Sequence, residues 1–235
     1  MIKSYLGRIY CDALSHNDQN VVEAIRKYGP FDTLLDVGCW DGEKTMQYAS
    51  AAKAKKIFGI EPVREPAEAA KKLGIAVSAC PADEGVWPLK DESIDCIVSN
   101  QVVEHLSNID TFISEVSRIL KPGGILITST NNLSSWHNIF ALLMGWAPFD
   151  LTNSSTKALG VGNPLSIHQG ETSYKGSSWT HKTIYTSYWL HSWFKEYGFT
   201  NEDTFGAGYY PLPSVFGSFL KKHCAFIVLV NRKLG

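Results

Sequence analysis

The sequence predicts an α/β protein built on a mostly parallel sheet. Two observations carry this prediction: short apolar runs rich in β-branched residues recur from Asp32 onward, and amphipathic stretches separate them. Strands connected through helices lie parallel, because each crossover returns the chain to the same end of the sheet. Of the 235 residues, 44% are hydrophobic and 19% are charged, a composition that can bury a core. One domain over residues 1–235 is expected.

Five strands and four helices are predicted in the first 130 residues. The strands lie at 33–37, 56–60, 76–80, 94–99 and 125–130, and the helices lie around 18–28, 42–53, 64–72 and 111–120. The last helix has the clearest pattern, because its apolar residues from Phe112 to Leu120 fall on one face. Asp110 is its predicted N-cap. The run Lys121-Pro122-Gly123-Gly124 ends it, because proline cannot extend a helix and glycine turns the chain.

The composition changes after residue 130. Residues 131–180 are rich in Asn, Ser, Gly and Trp, and their one apolar segment lies at 136–144. Fifty residues without strand–helix alternation are typical of a functional cap. A helix near 185–197 and strands near 199–205 and 225–230 then follow. The predicted division is an N-terminal helical segment (1–30), a core (31–130), a cap (131–180) and a C-terminal completion of the sheet (181–235).

Charge and hydropathy exclude several classes of partner. The 22 Lys and Arg residues against 23 Asp and Glu residues give a net charge of −1, which argues against nucleic-acid binding. The basic run Lys221-Lys222-His223 is predicted to be a solvated turn.

No apolar stretch approaches the roughly 20 residues of a membrane-spanning helix. Early charged residues argue against a secretory signal, and five cysteines without a C-x-x-C pair indicate reduced thiols and a cytoplasmic location.

A glycine-containing loop follows the first predicted strand. Gly38 and Gly42 let a ligand approach the backbone where the next helix begins. Asp36, Asp41 and Glu43 surround this loop and would repel a pyrophosphate, whereas they suit a ligand that carries cationic groups. The loop also lacks the G-x-G-x-x-G spacing of dinucleotide-binding proteins.

Polar residues follow the other early strands. Glu61 ends the second strand and lies 19 residues beyond Gly42, where a carboxylate can accept both hydroxyls of a ribose. Asp83 follows the third strand, and Asn100 ends the fourth. These strand ends converge on one crevice, which is where open α/β sheets bind ligands.

An ordered set of motifs now identifies a family resemblance. LDVGCWDG, GIEP, ADEGVWPLKDESIDCIVSNQVVEHL and EVSRILKPGGILI occur in that order between about residues 34 and 130. They resemble the class I S-adenosylmethionine-dependent methyltransferases, closest to the small-molecule group (methyltransferase type 11-like) that includes ubiquinone-pathway enzymes. The resemblance implies a Rossmann-like seven-stranded sheet with an antiparallel last strand and a cap inserted after the fifth strand. It also implies S-adenosylmethionine as cofactor and S-adenosylhomocysteine as product.

The resemblance assigns a role to each cofactor-binding position. The implied contacts are Asp36, Gly38, Cys39, Gly42, Glu61, Pro62, Asp83, Glu84 and Asn100. Asp36 and the glycine loop surround the methionine part, Glu61 holds the ribose and Pro62 packs near the adenine. Asp83 and the Glu84 backbone read the adenine, and Asn100 lines the sulfonium side. Trp40 departs from the family's glycine, so its ring either covers the cofactor or packs beneath the loop.

Methyl transfer to oxygen or nitrogen needs alignment and a proton acceptor, for which imidazole is suited. His105 follows the fourth strand, and His181 begins a segment similar to an H-x-R-x-[FY]-T motif, with threonine at the arginine. Both are predicted catalytic residues, with bonding to nearby backbone as the alternative.

The run 101–105 resembles the E-x-x-E-H metal motif of some quinone and RNA-terminal methyltransferases. Gln101 replaces its first glutamate, so no metal is predicted.

The cap resembles enzymes associated with glycan assembly at residues 131–138 and 145–149. Trp136, His137 and Trp146 are therefore the predicted acceptor-binding residues. The expected activity is methyl transfer to oxygen or nitrogen of a small molecule or saccharide. The alternatives are carbon methylation of a quinone-type precursor, nicotinamide-dependent oxidoreduction and a non-catalytic cofactor-binding module.

Overall fold

A computed structural model describes residues 2–168, 171 and 179–235, with side chains from residue 5 onward. Residues 169, 170 and 172–178 of the predicted cap lie outside the described residues. Within the described part of the chain, no helix combines the length and apolarity needed to cross a membrane.

Seven strands form one sheet, and seven α-helices accompany them in the described residues. The strands are β1 (Thr33–Val37), β2 (Lys56–Ile60), β3 (Ala76–Ser78), β4 (Ile94–Asn100), β5 (Leu120–Asn131), β6 (Phe199–Ala207) and β7 (Phe226–Lys233). The helices are α1 (Ile2–Tyr28), α2 (Glu43–Ala52), α3 (Arg64–Lys72), α4 (Ile109–Ile119), α5 (Trp136–Leu143), α6 (Ser187–Glu196) and α7 (Phe216–Phe219).

The sheet has the strand order β3-β2-β1-β4-β5-β7-β6. The first five strands pair in parallel, and β7 runs antiparallel between β5 and β6. The order reverses direction between β1 and β4, because the chain moves outward to β3 before it returns to the other side of β1. A crevice opens at such a reversal, at the carboxyl ends of the strands. The predicted mostly parallel sheet with an antiparallel last strand is confirmed.

The core lies on both faces of the sheet. Leu35 and Ile97 belong to a cluster that includes the apolar face of α4, whereas Leu34 and Cys96 pack with residues of α1 on the other face. Alternate residues of a strand point to opposite faces, so a fully buried parallel strand is apolar on both. This requirement explains why continuous apolar runs marked the strands in the sequence.

The N-cap of α4 differs from the prediction. Asn108, and not Asp110, precedes the helix, and its side chain accepts a hydrogen bond of 3.1 Å from the Thr111 backbone N–H. Asp110 instead accepts hydrogen bonds from Trp193 Nε1 at 2.7 Å and Tyr197 Oη at 2.9 Å. The helix begins two residues earlier than its apolar pattern indicated, at Ile109, which is also buried. Asp110 therefore ties α4 to α6.

Two elements are longer than predicted. Helix α1 begins at Ile2 and not near residue 18, because its first half packs beside β7, with Ala13 buried and the Tyr10 ring 6.0 Å from that of Phe226. Strand β5 begins at Leu120, which pairs with Ile94 across an irregularity in the ladder. The Pro122 run therefore lies inside an irregular strand, although it does follow the end of α4.

Candidate active site

The loop between β1 and α2 forms one wall of the crevice. Gly38 and Gly42 both have positive φ, 79° and 85°, which favours glycine. A Cβ at Gly38 would lie 2.5 Å from Val102 Cγ2, and one at Gly42 would lie 2.6 Å from Ile75 Cδ1. Both glycines are therefore required twice, by backbone conformation and by close packing. The exposed backbone at Gly38 leaves the loop open to a ligand.

Trp40 also has positive φ, 47°, at the position where the resemblance implies glycine. This conformation is strained for a residue with a side chain. The Trp40 ring meets the ring of Trp179 edge-on, with centroids 5.1 Å apart, so the side chain contacts the end of the predicted cap. The loop is thereby connected to the side of the crevice where the acceptor is predicted to bind.

Asp36 lies at the end of β1 but faces inward. Its buried carboxylate accepts a hydrogen bond of 2.6 Å from Thr45 Oγ1 of α2, and burial raises its pKa to about 7. Asp41 Oδ1 accepts from the Glu43 backbone N–H at 3.2 Å and so shapes the start of α2. The acidic character of the loop mouth consequently rests on Asp41 and Glu43 more than on Asp36.

Glu61 is the carboxylate that faces the glycine loop. Oε2 accepts from the Trp40 backbone N–H at 3.1 Å, and Oε1 accepts from the Val63 backbone N–H at 2.8 Å. Burial raises the pKa of this carboxyl, against the opposing effect of the two N–H groups. Each carboxylate oxygen can accept a further hydrogen bond, so the group is fixed in orientation and still able to bind hydroxyls. Pro62, the next residue, is exposed.

Cys39 is oriented away from the open side of the loop. A Cβ at Gly59 would lie 2.6 Å from Cys39 Sγ, so the thiol packs against β2. Burial raises the pKa of the thiol to about 12. Cys39 can therefore meet a ligand only through its backbone.

Asn100 connects the end of β4 to two helices. Its Nδ2 donates to Asp18 Oδ1 at 2.8 Å and to Tyr48 Oη at 2.9 Å, and its Oδ1 accepts from Asn17 Nδ2 at 3.3 Å. Asn17 and Asp18 belong to α1, which therefore reaches the carboxyl edge of the sheet. The sequence indicated a helix near residue 18 but gave no sign that it joins the crevice.

Asp83 and Glu84 lie in the loop after β3. Asp83 Oδ2 accepts from the Ser107 backbone N–H at 2.6 Å, which links this loop to the one after β4. Glu84 is exposed. The two loops therefore close the crevice on the side where the adenine is predicted to bind.

His105 and His181 lie together although 76 positions separate them in the sequence. Their ring centroids are 4.7 Å apart. His105 Nδ1 lies 3.2 Å from the Thr180 carbonyl oxygen, and His181 Nδ1 contacts the Asp150 carbonyl oxygen. Burial lowers the pKa of His105 to about 4 and also lowers that of His181, so both imidazoles are neutral at pH 7. The two predicted catalytic histidines form one pair.

Glu104 adds a carboxylate to this pair; the sequence marked it only as part of the run 101–105 and assigned it no role. The residue is fully buried, and Oε2 accepts a hydrogen bond of 2.8 Å from Thr130 Oγ1. Burial raises its pKa to about 7. Its backbone carbonyl accepts from the Lys182 N–H at 2.7 Å, which holds the His181 segment against the end of β4. The resemblance of the run 101–105 to a metal motif gave no signal of this burial.

Asp150 is a second residue that sequence reasoning missed. Its carboxylate accepts from Asn131 Nδ2 at 2.8 Å and Asn138 Nδ2 at 2.6 Å, and it lies 3.2 Å from His137 Nε2. Burial favours a higher pKa for this carboxyl, but His137 and the hydrogen bonds outweigh it and hold the pKa below its ordinary value. Asp150 thus joins the end of β5 and α5 to His181.

The three predicted acceptor-binding residues occupy different surroundings. His137 contacts Asp150, so it lies one residue away from the His105–His181 pair. Trp136 donates from Nε1 to Tyr209 Oη at 2.6 Å, and its ring lies 4.5 Å from that of His223. The Trp146 ring packs against Phe140 at 5.9 Å. The contacts given for these two tryptophans are therefore with Tyr209, His223 and Phe140, and not with the His105–His181 pair.

Comparisons with known proteins agree on one family. Residues 35–128 match the family model described as a methyltransferase domain. The mouse mitochondrial ubiquinone biosynthesis O-methyltransferase is 33% identical over 111 residues, covering 42% of this chain and 28% of that protein. A probable S-adenosylmethionine-dependent methyltransferase from Mycolicibacterium smegmatis is 30% identical over 99 residues, covering 42% of this chain and 38% of that protein.

A solved structure shows the same fold over the whole chain. The S-adenosylmethionine-dependent methyltransferase from Thermotoga maritima, described as a possible histamine N-methyltransferase, has a TM-score of 0.61 at 18% identity and covers 99% of this chain and 100% of that one. Residues 35–128 therefore belong to the methyltransferase-domain family. The chain spans only 28% to 55% of the length of the curated relatives that are named as methyltransferases.

The crevice fits S-adenosylmethionine, the cofactor that the resemblance implies. The exposed glycine loop leaves its backbone open to contact with a ligand. Glu61 is anchored by two backbone N–H groups, and its oxygens can still accept hydrogen bonds from the hydroxyls of a ribose. The fold alone does not determine the reaction, because the [4+2]-cyclase SpnF shares it with a TM-score of 0.58 at 16% identity and 92% and 82% coverage. The acceptor side must therefore be argued from its own residues.

Proposed function

We propose that this chain transfers the methyl group of S-adenosylmethionine to an oxygen or nitrogen atom of a small molecule or saccharide. The carrying observation is the pair of neutral imidazoles, His105 and His181, packed together beside the end of β4. An oxygen or nitrogen acceptor releases a proton when it is methylated, and a neutral imidazole can accept it. Similarity to the mouse O-methyltransferase also supports methyl transfer to such an acceptor atom.

On the cofactor side, the chain's own groups orient S-adenosylmethionine. When bound, S-adenosylmethionine supplies a methyl group activated by a sulfonium centre. Glu61 holds the ribose, and the backbone from Gly38 to Gly42 and Asn100 surround the methionine and sulfonium parts. Asp83 and Glu84 line the adenine side, where Pro62 offers an exposed apolar ring. Asp36 acts indirectly, since its carboxylate secures α2 through Thr45.

On the acceptor side, the histidines are fixed by backbone carbonyls. Because Nδ1 of each ring faces a carbonyl oxygen, Nδ1 carries the hydrogen and Nε2 keeps its lone pair. His137 and Asp150 extend the polar surface toward the acceptor. The alignment of these groups by buried contacts supplies the positioning on which methyl transfer depends.

Mass spectrometry with methyl-deuterated S-adenosylmethionine tests the activity. We expect a labelled product from a panel of phenols, amines and saccharides, with the label on oxygen or nitrogen. Label on carbon would replace the proposal with quinone-type carbon methylation. Cofactor binding without any labelled product across the panel would indicate a binding module.

Two substitutions test the histidine pair. His105→Ala and His181→Ala should each lower kcat by about 10²–10⁴-fold, the usual contribution of a general base, while affinity for S-adenosylhomocysteine stays nearly constant. His168→Ala is the matched control, because this exposed histidine pairs with Glu171 at the surface. Normal turnover of both variants would remove the pair from the reaction.

A further inference from the structure

An exposed apolar surface lies on α5 and around α7. The side chains that form it are Phe140, Leu143, Met144, Phe216, Phe219 and Leu220. Leu143 and Phe219 have 81% and 79% of their area exposed, so each projects from the described part of the chain. Single exposed apolar side chains are ordinary on a protein, whereas a contiguous set of them marks a site of interaction.

The apolar surface is contiguous along α5 and from α5 to the segments beside α7. Trp136, Phe140 and Leu143 follow one another at the spacing i, i+4, i+7, so they share one face of α5. Trp136 Nε1 donates to Tyr209 Oη at 2.6 Å, and the Trp136 ring lies 4.5 Å from that of His223. The chain on either side of α7 therefore lies against the start of α5.

The segments that form the apolar surface carry positive charge and contain no acid. Residues 131–149 and 204–224 include no Asp or Glu, although the chain has 23 such residues. Lys221 and Lys222 directly follow the apolar residues of α7, and both are exposed. Asp203 lies 3.9 Å from Lys221 but is already bound at 2.6 Å by a lysine of α1. Exposed apolar side chains and positive charge thus occur together on this surface.

We propose that the apolar surface docks on an anionic membrane. Its phenylalanine and leucine side chains would enter the boundary between headgroups and acyl chains, while Lys221 and Lys222 bind the anionic headgroups. A second copy of the chain is a poorer occupant, because a two-fold interface would bring the same lysines of both copies into one contact. The combination of apolar side chains with lysines is that of proteins that lie on a membrane without spanning it.

Docking would bring the membrane close to the side of the crevice where the acceptor is predicted to bind. Trp136 at the start of α5 is followed by His137, whose Nε2 lies 3.2 Å from the Asp150 carboxylate. The Asp150 carbonyl oxygen in turn contacts His181 Nδ1. Only this consequence for the acceptor rests on the proposed function, whereas docking itself does not.

Flotation of the full chain with lipid vesicles tests the docking. We expect binding to vesicles of equal parts phosphatidylglycerol and phosphatidylcholine, and binding at least about 10-fold weaker to pure phosphatidylcholine. Each lysine near an anionic surface contributes about fivefold, so Lys221→Ala combined with Lys222→Ala should weaken binding by roughly 25-fold. Lys71→Ala combined with Lys72→Ala, on α3, is the matched control and should bind like the parent protein.

Two single substitutions test the apolar part of the surface. Phe219→Gln and Leu143→Gln should each weaken vesicle binding by at least about 10-fold, because each removes a large apolar side chain from the lipid. Tyr188→Gln is the matched control, since this ring on α6 is equally exposed but lies outside the apolar surface. Retained binding of S-adenosylhomocysteine shows that each variant is folded.

Three results would overturn the proposal. The first is no binding to the anionic vesicles, and the second is equal binding by the parent protein and Phe219→Gln. The third is a dimer in sedimentation velocity that Phe219→Gln dissociates, since a second copy would then cover the surface. Vesicle binding without labelled product in the methyl-transfer assay would instead contradict the proposed function and leave the docking surface standing.

Discussion

At the scale of single residues, Glu61 is the proposed link between the structure of the crevice and its ligand. It receives the backbone N–H groups of Trp40 and Val63, so one carboxylate holds the glycine loop against the end of β2. Asp36 is buried to the same extent, but its carboxylate accepts from Thr45 Oγ1 of α2 and not from the glycine loop. The hydrogen-bond partners, more than residue type or burial, therefore distinguish the two acids.

Replacement of Glu61 should weaken cofactor binding. Glu61→Ala removes charge-assisted hydrogen bonds worth about 1.5–3 kcal/mol, which corresponds to roughly 10–150-fold in the Kd for S-adenosylhomocysteine by equilibrium dialysis. Glu65→Ala, an exposed acid in the first turn of α3, is the control and should leave the Kd unchanged. Equal affinities of Glu61→Ala and the parent protein would take Glu61 out of the ribose site.

Asp36 should make stability depend on pH. Its pKa is about 7 in the folded chain and near the ordinary 3.8 in the unfolded chain, so the folded state holds an extra proton between these values. The free energy of unfolding therefore falls as pH rises from about 4 to 7, by at most about 1.4 kcal/mol per unit from this group. Asp36→Asn should lose this dependence in urea unfolding without cofactor; identical pH profiles for the two proteins would contradict the assignment.

At the scale of elements, short polar contacts set the ends of helices and attach them to the crevice. Asn108 begins α4, and Asp110 joins α4 to α6 through Trp193 and Tyr197. Helix α1 reaches Asn100 through Asp18 and Asn17. Apolar periodicity predicts which face of a helix is buried, but it does not tell which of two nearby polar residues forms the cap.

The corrected cap of α4 has a measurable consequence. Asn108→Ala should lower the free energy of unfolding by about 1 kcal/mol, because the Thr111 N–H loses its side-chain acceptor. Asn108→Asp keeps an acceptor at the same position and serves as the matched control. If Asn108→Ala and Asn108→Asp unfold at the same urea concentration, the cap contributes nothing.

At the scale of the whole molecule, the sheet was predictable and the acceptor side was not. Strands β1 and β2 and helix α3 have the predicted bounds, because turn residues flank their apolar runs. The glycine loop and Glu61 follow from strand ends, which sequence can locate. Asp150 escaped notice, and Glu104 was noticed only within the run 101–105, because contacts between distant segments bury them. His105 and His181 were each predicted, but only the fold reveals that they form a pair.

Calorimetric titration of the full chain with S-adenosylhomocysteine and with NADH tests most directly whether the crevice is built for the methyl donor. We expect one S-adenosylhomocysteine bound per chain and no heat from NADH, since Asp41 and Glu43 at the loop mouth disfavour a pyrophosphate. Binding of NADH with no affinity for S-adenosylhomocysteine would contradict the account.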